Sequence, residues 1–85
     1  FIVLMNIYVS NLSFNVQDED LQGFFDEYGE VTSAKVIMDK ESGRSKGFGF
    51  VEMENSSEAN SAMKALNESE LKGRNIVVNE AKSRS

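Results

Sequence analysis

An 85-residue chain with neither cysteine nor histidine has room for one small domain and excludes disulfides, thiolate metal sites, cysteine nucleophiles and a histidine base. With 40% apolar and 27% charged residues it reads as an ordinary globular domain, and no apolar run reaches the length of a membrane span. The net charge of −5, taken alone, argues against nucleic acid as a ligand, because proteins that bind it are usually basic.

Residues 1–12 read FIVLMNIYVSNL. From Asn6 the alternation suits a strand, with Ile7 and Val9 on one face and Asn6, Tyr8 and Ser10 on the other. Phe1 to Leu4 are all apolar and break that alternation. Met5 has the form of a natural start, so residues 1–4 are expected to be an appended segment; the alternative is an extra half-strand that covers a sheet edge or pairs two chains. FIVLM is too short for a secretory signal and lacks a basic start, so the expected compartment is intracellular, in the cytoplasm.

Residues 17–28, QDEDLQGFFDEY, read as a helix, because Leu21, Phe24, Phe25 and Tyr28 fall at i, i+3, i+4 and i+7 on one apolar face. Asp18, Glu19 and Asp20 occupy its first turn, where the helix dipole favours acids, and Gly29 is expected to end it. VTSAKVIM, residues 31–38, reads as a second strand with Ala34, Val36 and Met38 on one face and Lys35 and Ile37 on the other. DKESGRSK is a polar loop turned at Gly43, and KGFGFVEM, residues 46–53, is the third strand.

Asn55 followed by Glu58 resembles a capping box that opens a helix over 56–67, with Ala59, Ala62, Met63 and Leu66 as its buried stripe. NESELKGR turns the chain, and NIVVNEA, residues 75–81, is a fourth strand with Ile76 and Val78 inward. These elements form a single domain over 5–82, followed by a polar tail at 83–85. The βαββαβ order predicts an α+β, ferredoxin-like sandwich: a four-stranded antiparallel sheet, strand order 4-1-3-2, with both helices on one face and the other face open.

That topology makes parity decisive in the third strand. Val51 and Met53 must meet the helices, because Glu52 and Glu54 cannot comfortably do so. Gly47 and Gly49 then face the helices as well, where small residues permit close approach, while Lys46, Phe48, Phe50 and Glu52 face outward. Tyr8 is outward by the same argument, so three aromatic rings lie together on open surface if the first and third strands are neighbours. An inverted register would bury Glu52 and strand Val51 and Met53 in water.

IYVSNL, Ile7 to Leu12, and KGFGFVEM, Lys46 to Met53, resemble the two RNP signatures of the RNA recognition motif. The second matches its pattern at seven of eight places, the exception being Met53 for an aromatic. Met53 is inward by parity, so the change is expected to alter packing and leave binding alone. LQGFFDEYGEV, AMKALN and LKGRNIVVNEA extend the likeness along nearly the whole chain from Met5. The chain most resembles bacterial single-domain members and the modules of glycine-rich RNA-binding proteins.

The resemblance implies that Tyr8 and Phe50 each stack a base while Phe48 packs against sugars. Aromatic rings on a rigid sheet do this without reading sequence, at about 1–3 kcal/mol per base. Lys46 is placed to meet a phosphate. Asn6, Ser10, Lys35, Ile37, Glu52, Val77 and Asn79 share the face by parity, and its polar members suit hydrogen bonds to base edges. For Glu52 two readings stay open, acceptance from a base amino group or sheet solubility. Arg44, Lys82 and Arg84 are candidates to clamp backbone, and ordinary solvated charges otherwise. Arg74 is a candidate too, or a residue that simply closes a turn.

The global acidity does not lie on that face. Asp18, Glu19, Asp20, Asp26, Glu27 and Glu58 fall on the helices, and Glu68 and Glu70 in the turn that follows. The proposed face and rims carry Lys35, Arg44, Lys46, Lys82 and Arg84 against Asp39 and Glu52, with Glu80 at the margin, so a mild local excess of base is expected. The expected partner is single-stranded RNA, with single-stranded DNA as an alternative ligand, and the expected role is post-transcriptional regulation by a monomer needing no cofactor or metal. A protein-interaction module using the same exposed sheet is the competing reading. Catalysis is not expected, since no Gly-rich phosphate loop opens a helix and no acid–base constellation stands out.

Overall fold

A computed structural model of the chain describes residues 5–81. Residues 1–4, whose appended or strand-forming character is open, lie outside the described residues, as do Lys82, Arg84 and the tail. In chain order the elements are β1 (Met5–Ser10), α1 (Asp18–Asp26), β2 (Val31–Met38), β3 (Ser45–Met53), α2 (Ser56–Leu66), β4 (Glu70–Leu71), β5 (Arg74–Asn75) and β6 (Val77–Glu80). Four strands form one sheet in the order β2-β3-β1-β6 with antiparallel neighbours, the ferredoxin-like arrangement expected from the sequence.

One layer of apolar side chains holds sheet and helices together. Ile7 and Val9 from β1, Val51 and Met53 from β3, and Ile76 and Val78 are buried against Leu21 and Phe25 of α1 and Ala59, Ala62 and Leu66 of α2. At about 25 cal/mol per Å² of apolar surface removed from water, this layer is the main source of stability. Met53 is fully buried, so the one departure from the RNP pattern falls in the core, as parity requires.

Local chemistry sets the helix ends. The Asp20 carboxylate accepts a hydrogen bond from the Gln17 N–H at 2.9 Å, and Asp18 Oδ1 accepts one from the Val36 N–H at 2.7 Å, covering part of the free edge of β2. Asn55 Oδ1 caps α2 by accepting from the Glu58 N–H at 3.0 Å. The Glu58 side chain turns toward Gly29, whose missing Cβ leaves it room; a Cβ there would sit 2.7 Å from Glu58 Cβ. Gly29 is therefore needed for space between α1 and α2. It does not end α1 by left-handed geometry as expected: the helix stops at Asp26, and the left-handed glycines are Gly43, Gly47 and Gly73.

Strict alternation fails in β2. Its register against β3 shifts between Val31 and Ser33 and again between Val36 and Met38. At the second shift, Val36 pairs with Gly49 and Met38 with Ser45, so Lys46, Gly47 and Phe48 stand opposite Ile37 alone. Gly47 takes φ +83° there, and that conformation, not helix approach, is why position 47 is glycine. Gly49 does answer the close-approach expectation: a Cβ would overlap the Lys35 carbonyl oxygen and lie 3.2 Å from Leu21 Cδ2. Met38, expected inward, is 50% exposed at the end of β2 beside Gln17, where the sheet runs past the start of α1.

The segment before the last strand is more than a turn. Glu70 pairs with Asn75 and Leu71 with Arg74, closing a small hairpin over Lys72 and Gly73 at φ 51° and 87°. Positive φ at both central residues marks a type I′ turn, which matches strand twist. Lys72 fastens the hairpin to α1 by an ion pair with Asp20 at 3.1 Å.

Candidate nucleic-acid interface

The β1–β3 register fixes the aromatic set. Tyr8 faces Phe50 and Ser10 faces Phe48 across the two central strands. Ring centroids are 5.4 Å apart for Tyr8 and Phe50, 5.8 Å for Tyr8 and Phe48, and 6.3 Å for Phe48 and Phe50, the last edge-on at 89°. These separations lie in the favourable range for aromatic pairs, so the rings brace one another on a face without helices. Phe50 is 39% exposed; Tyr8 and Phe48 are half-buried.

The rest of the face is arranged in rows across the strands. One row runs Lys35, Phe50, Tyr8, Asn79, each directly opposite the next. A second places Phe48 beside Ser10 and Val77, and a third Ser33 beside Glu52 and Asn6. Within the third, the Ser33 hydroxyl donates to Glu52 Oε1 at 2.8 Å, so this carboxylate is already engaged on the sheet. Ile37, the residue left opposite the bulge, is half-buried. Asn6, Ser10, Lys35, Glu52, Phe48, Phe50, Tyr8 and Asn79 are thus brought together as the sequence reading expects.

Two cations stand at one end of this face. Lys46 is exposed on the bulge of β3, beside Phe48. Arg44 is exposed in the β2–β3 loop, whose shape is held by hydrogen bonds from Gly43 N–H to the Asp39 carbonyl and from Asp39 N–H to the Arg44 carbonyl.

A third cation, Arg74, both closes the hairpin opposite Leu71 and lies beside this face. It projects from β5, and its Nη2 donates to Asn11 Oδ1 at 2.7 Å. Asn11, at φ 59°, in turn donates its Nδ2 to the Asn75 carbonyl at 2.6 Å. This clasp brings Arg74 into the same depression as Tyr8 and Phe48. Phe14, to which sequence reasoning gave no role, lines that depression too and is 71% exposed. Its only sequence signal is a large aromatic between two polar residues, Ser13 and Asn15.

Among the described residues no cluster of three or more Asp and Glu side chains is arranged to hold a metal ion. No helix among them is long and apolar enough to cross a membrane.

A profile described as the RNA recognition motif matches residues 7–77, which takes in both central strands and both helices. The chain belongs to the RNA recognition motif family. Similar proteins include the putative RNA-binding protein RbpE of Nostoc sp., 49% identical over 80 residues, covering 94% of this chain and 81% of that protein. The chloroplastic RNA-binding protein CP29B of Arabidopsis thaliana is 50% identical over 92% of this chain, which spans only 27% of that longer protein.

Among solved structures, that of RNA-binding protein PG1 superposes with a TM-score of 0.90 at 53% identity, covering 95% of this chain and 98% of that one. The Sxl-lethal protein/RNA complex matches with a TM-score of 0.84 at 33% identity, covering 89% of this chain and 47% of that one.

Proposed function

We propose that this RRM binds single-stranded RNA by stacking bases on Tyr8 and Phe50. The observation that carries this reading is the transverse row Lys35–Phe50–Tyr8–Asn79, in which two mutually braced rings sit between an ammonium group and an amide on an uncovered sheet. An unpaired base has two flat apolar faces and a polar edge. The rings take the faces; Asn79, Asn6 and Ser10 meet edges or 2′-hydroxyls. Phe48 packs against sugars, and Lys46 and Arg44 meet phosphates. Lys82 has the same role in this reading, from the tail.

Since stacking tolerates every base, the module discriminates weakly by sequence through the sheet alone, and single-stranded DNA competes where 2′-hydroxyl contacts contribute little. Relatives named as RNA-binding proteins from cyanobacteria and chloroplasts support the RNA reading. A module with no chemistry of its own acts on transcripts by occupying them, and we place this in post-transcriptional regulation in the cytoplasm.

The test is a chemical-shift map of the labelled protein titrated with oligouridylate, a probe suggested by a structural neighbour that is a yeast poly(U)-binding protein. The expected result is movement of Tyr8, Ser10, Phe48, Phe50 and Asn79 signals with those of α1 and α2 unmoved. Movement confined to the helices, or none with RNA but clear movement with a protein partner, would overturn it.

A further inference from the structure

We propose that the structure carries a further nucleotide subsite beyond the end of the sheet, formed by Phe14, Lys46 and Arg74 around the top of Tyr8 and Phe48. The inference rests on the proposed RNA-binding face and extends it along the strand of RNA.

The loop between β1 and α1 is not loose where it carries Phe14. On one side Leu12 is buried, and its N–H donates to the Gly47 carbonyl at 2.9 Å. On the other side Val16 is buried, and its N–H donates to the Ser13 carbonyl at 3.1 Å. Both anchors are in the core, yet the phenylalanine between them is 71% exposed, more than any other large apolar side chain described. A phenylalanine left in water forgoes its burial energy, and this one shares a depression with Tyr8 and Phe48, so the fixed loop presents it beside other rings.

The ring has a defined seat. Phe14 Cε1 lies 3.9 Å from where a Cβ on Gly47 would be, between Lys46 and Phe48 on the β3 bulge. The loop aromatic thus lies at van der Waals range of the strand that carries the RNP rings. In the same depression, the Asn11 clasp holds Arg74 in place.

The result is a shallow recess lined by the exposed Phe14 ring, the Arg74 guanidinium, the Lys46 ammonium, and the Tyr8 and Phe48 rings. An exposed ring offers a base a stacking face. Two cations lining the same recess suit the phosphates next to that base, and the planar guanidinium suits bidentate contact. The chemistry recognised is one unpaired nucleotide, continuous with those on the sheet. Because Arg74 is supplied by the β4–β5 hairpin, that hairpin is part of the binding surface.

The sheet rings accommodate two or three bases, so a three-nucleotide oligouridylate fills the sheet and a six-nucleotide one reaches the recess. Affinities of both RNAs are measured for wild type, Phe14→Ala, Phe14→Tyr, Arg74→Gln and Phe50→Ala. The proposal expects wild type to bind the longer RNA more tightly. Phe14→Ala and Arg74→Gln should lose about five- to 150-fold on the longer RNA while matching wild type on the shorter, and Phe14→Tyr should retain the gain.

Equal binding of the longer RNA by Phe14→Ala and wild type, with Phe50→Ala impaired on both, would overturn the subsite and leave the sheet reading standing. Equal losses on both RNAs at Phe14→Ala would assign Phe14 to the sheet or the fold and also overturn it. Unimpaired binding by Phe50→Ala would overturn the sheet reading itself.

Discussion

Tyr8 and Phe50 stand directly opposite each other on β1 and β3, their ring centroids 5.4 Å apart and their planes tilted by 50°. The tilt keeps the rings in contact without one covering the other, so each retains a face for a ligand. Their neighbours along both strands, Ile7, Val9 and Val51, are fully buried on the opposite side. Platform and core are thus two faces of the same residues' backbone.

That separation predicts different costs for two phenylalanines. Phe50→Ala should lower stability by about 1–3 kcal/mol, the worth of its aromatic contacts plus its partial burial. Phe25→Ala, which removes a fully buried ring, should cost about 3–5 kcal/mol. Urea unfolding of the two variants measures both; similar losses would mean that Phe50 serves the core.

The glycines predict effects of opposite sign. Gly49→Ala would drive a methyl group into the Lys35 carbonyl and to within 3.1 Å of Val36 Cα, so destabilisation of about 1–3 kcal/mol is expected. Gly23 lies mid-helix in α1 with nothing within 4 Å of an added Cβ, so Gly23→Ala should stabilise by about 0.5–1 kcal/mol. Thermal unfolding of the pair would expose an error in either assignment.

The sheet face and its aromatics were legible in the sequence because Ile7 and Val9 of β1 and Gly49, Val51 and Met53 of β3 are buried while the residues between them are not. Asn55 was legible as a cap because its bond to Glu58 is local. What escaped depends on partners far along the chain. The bulge that gives Gly47 its positive φ arises from the fit of β2 to β3, which neither segment's alternation encodes, and Met38 is exposed because β2 runs past the start of α1. Lys72–Gly73 is a hairpin turn without the usual Asn or Asp, so it read as a plain loop. Arg74 owes its placement to Asn11, 63 residues away in sequence. Phe14 sits in a loop, where no period separates a presented ring from a buried one.

Asp20 predicts a pH dependence. Its carboxyl is held below the ordinary aspartate value of 3.8, first by the Gln17 N–H and then by the Lys72 side chain. A depressed folded pKa adds stability above the unfolded value and loses it as pH falls through the folded one. Asp20→Asn should therefore be less stable than wild type at pH 7, with the gap closing below about pH 4. Urea unfolding at pH 7 and pH 3 checks this; an undiminished gap at pH 3 would contradict it.

The charge pattern predicts weak salt sensitivity. Lys35, Lys46, Arg44 and Arg74 are distributed around a face that also carries Glu52, in a chain of net charge −5. Contact with about two to four phosphates gives a log–log slope of affinity against salt of about −1.5 to −3 for single strands. Titrations across a salt series would read it, and a slope steeper than about −5 would show that phosphate attraction outweighs stacking.

The central claim is that base stacking on the Tyr8–Phe50 pair carries binding. Its most direct measurement is the affinity of wild type and Phe50→Ala for one six-nucleotide oligouridylate at one fixed salt concentration. A loss of about five- to 150-fold is expected for the variant, with its fold intact. Equal affinity of the two proteins would contradict it.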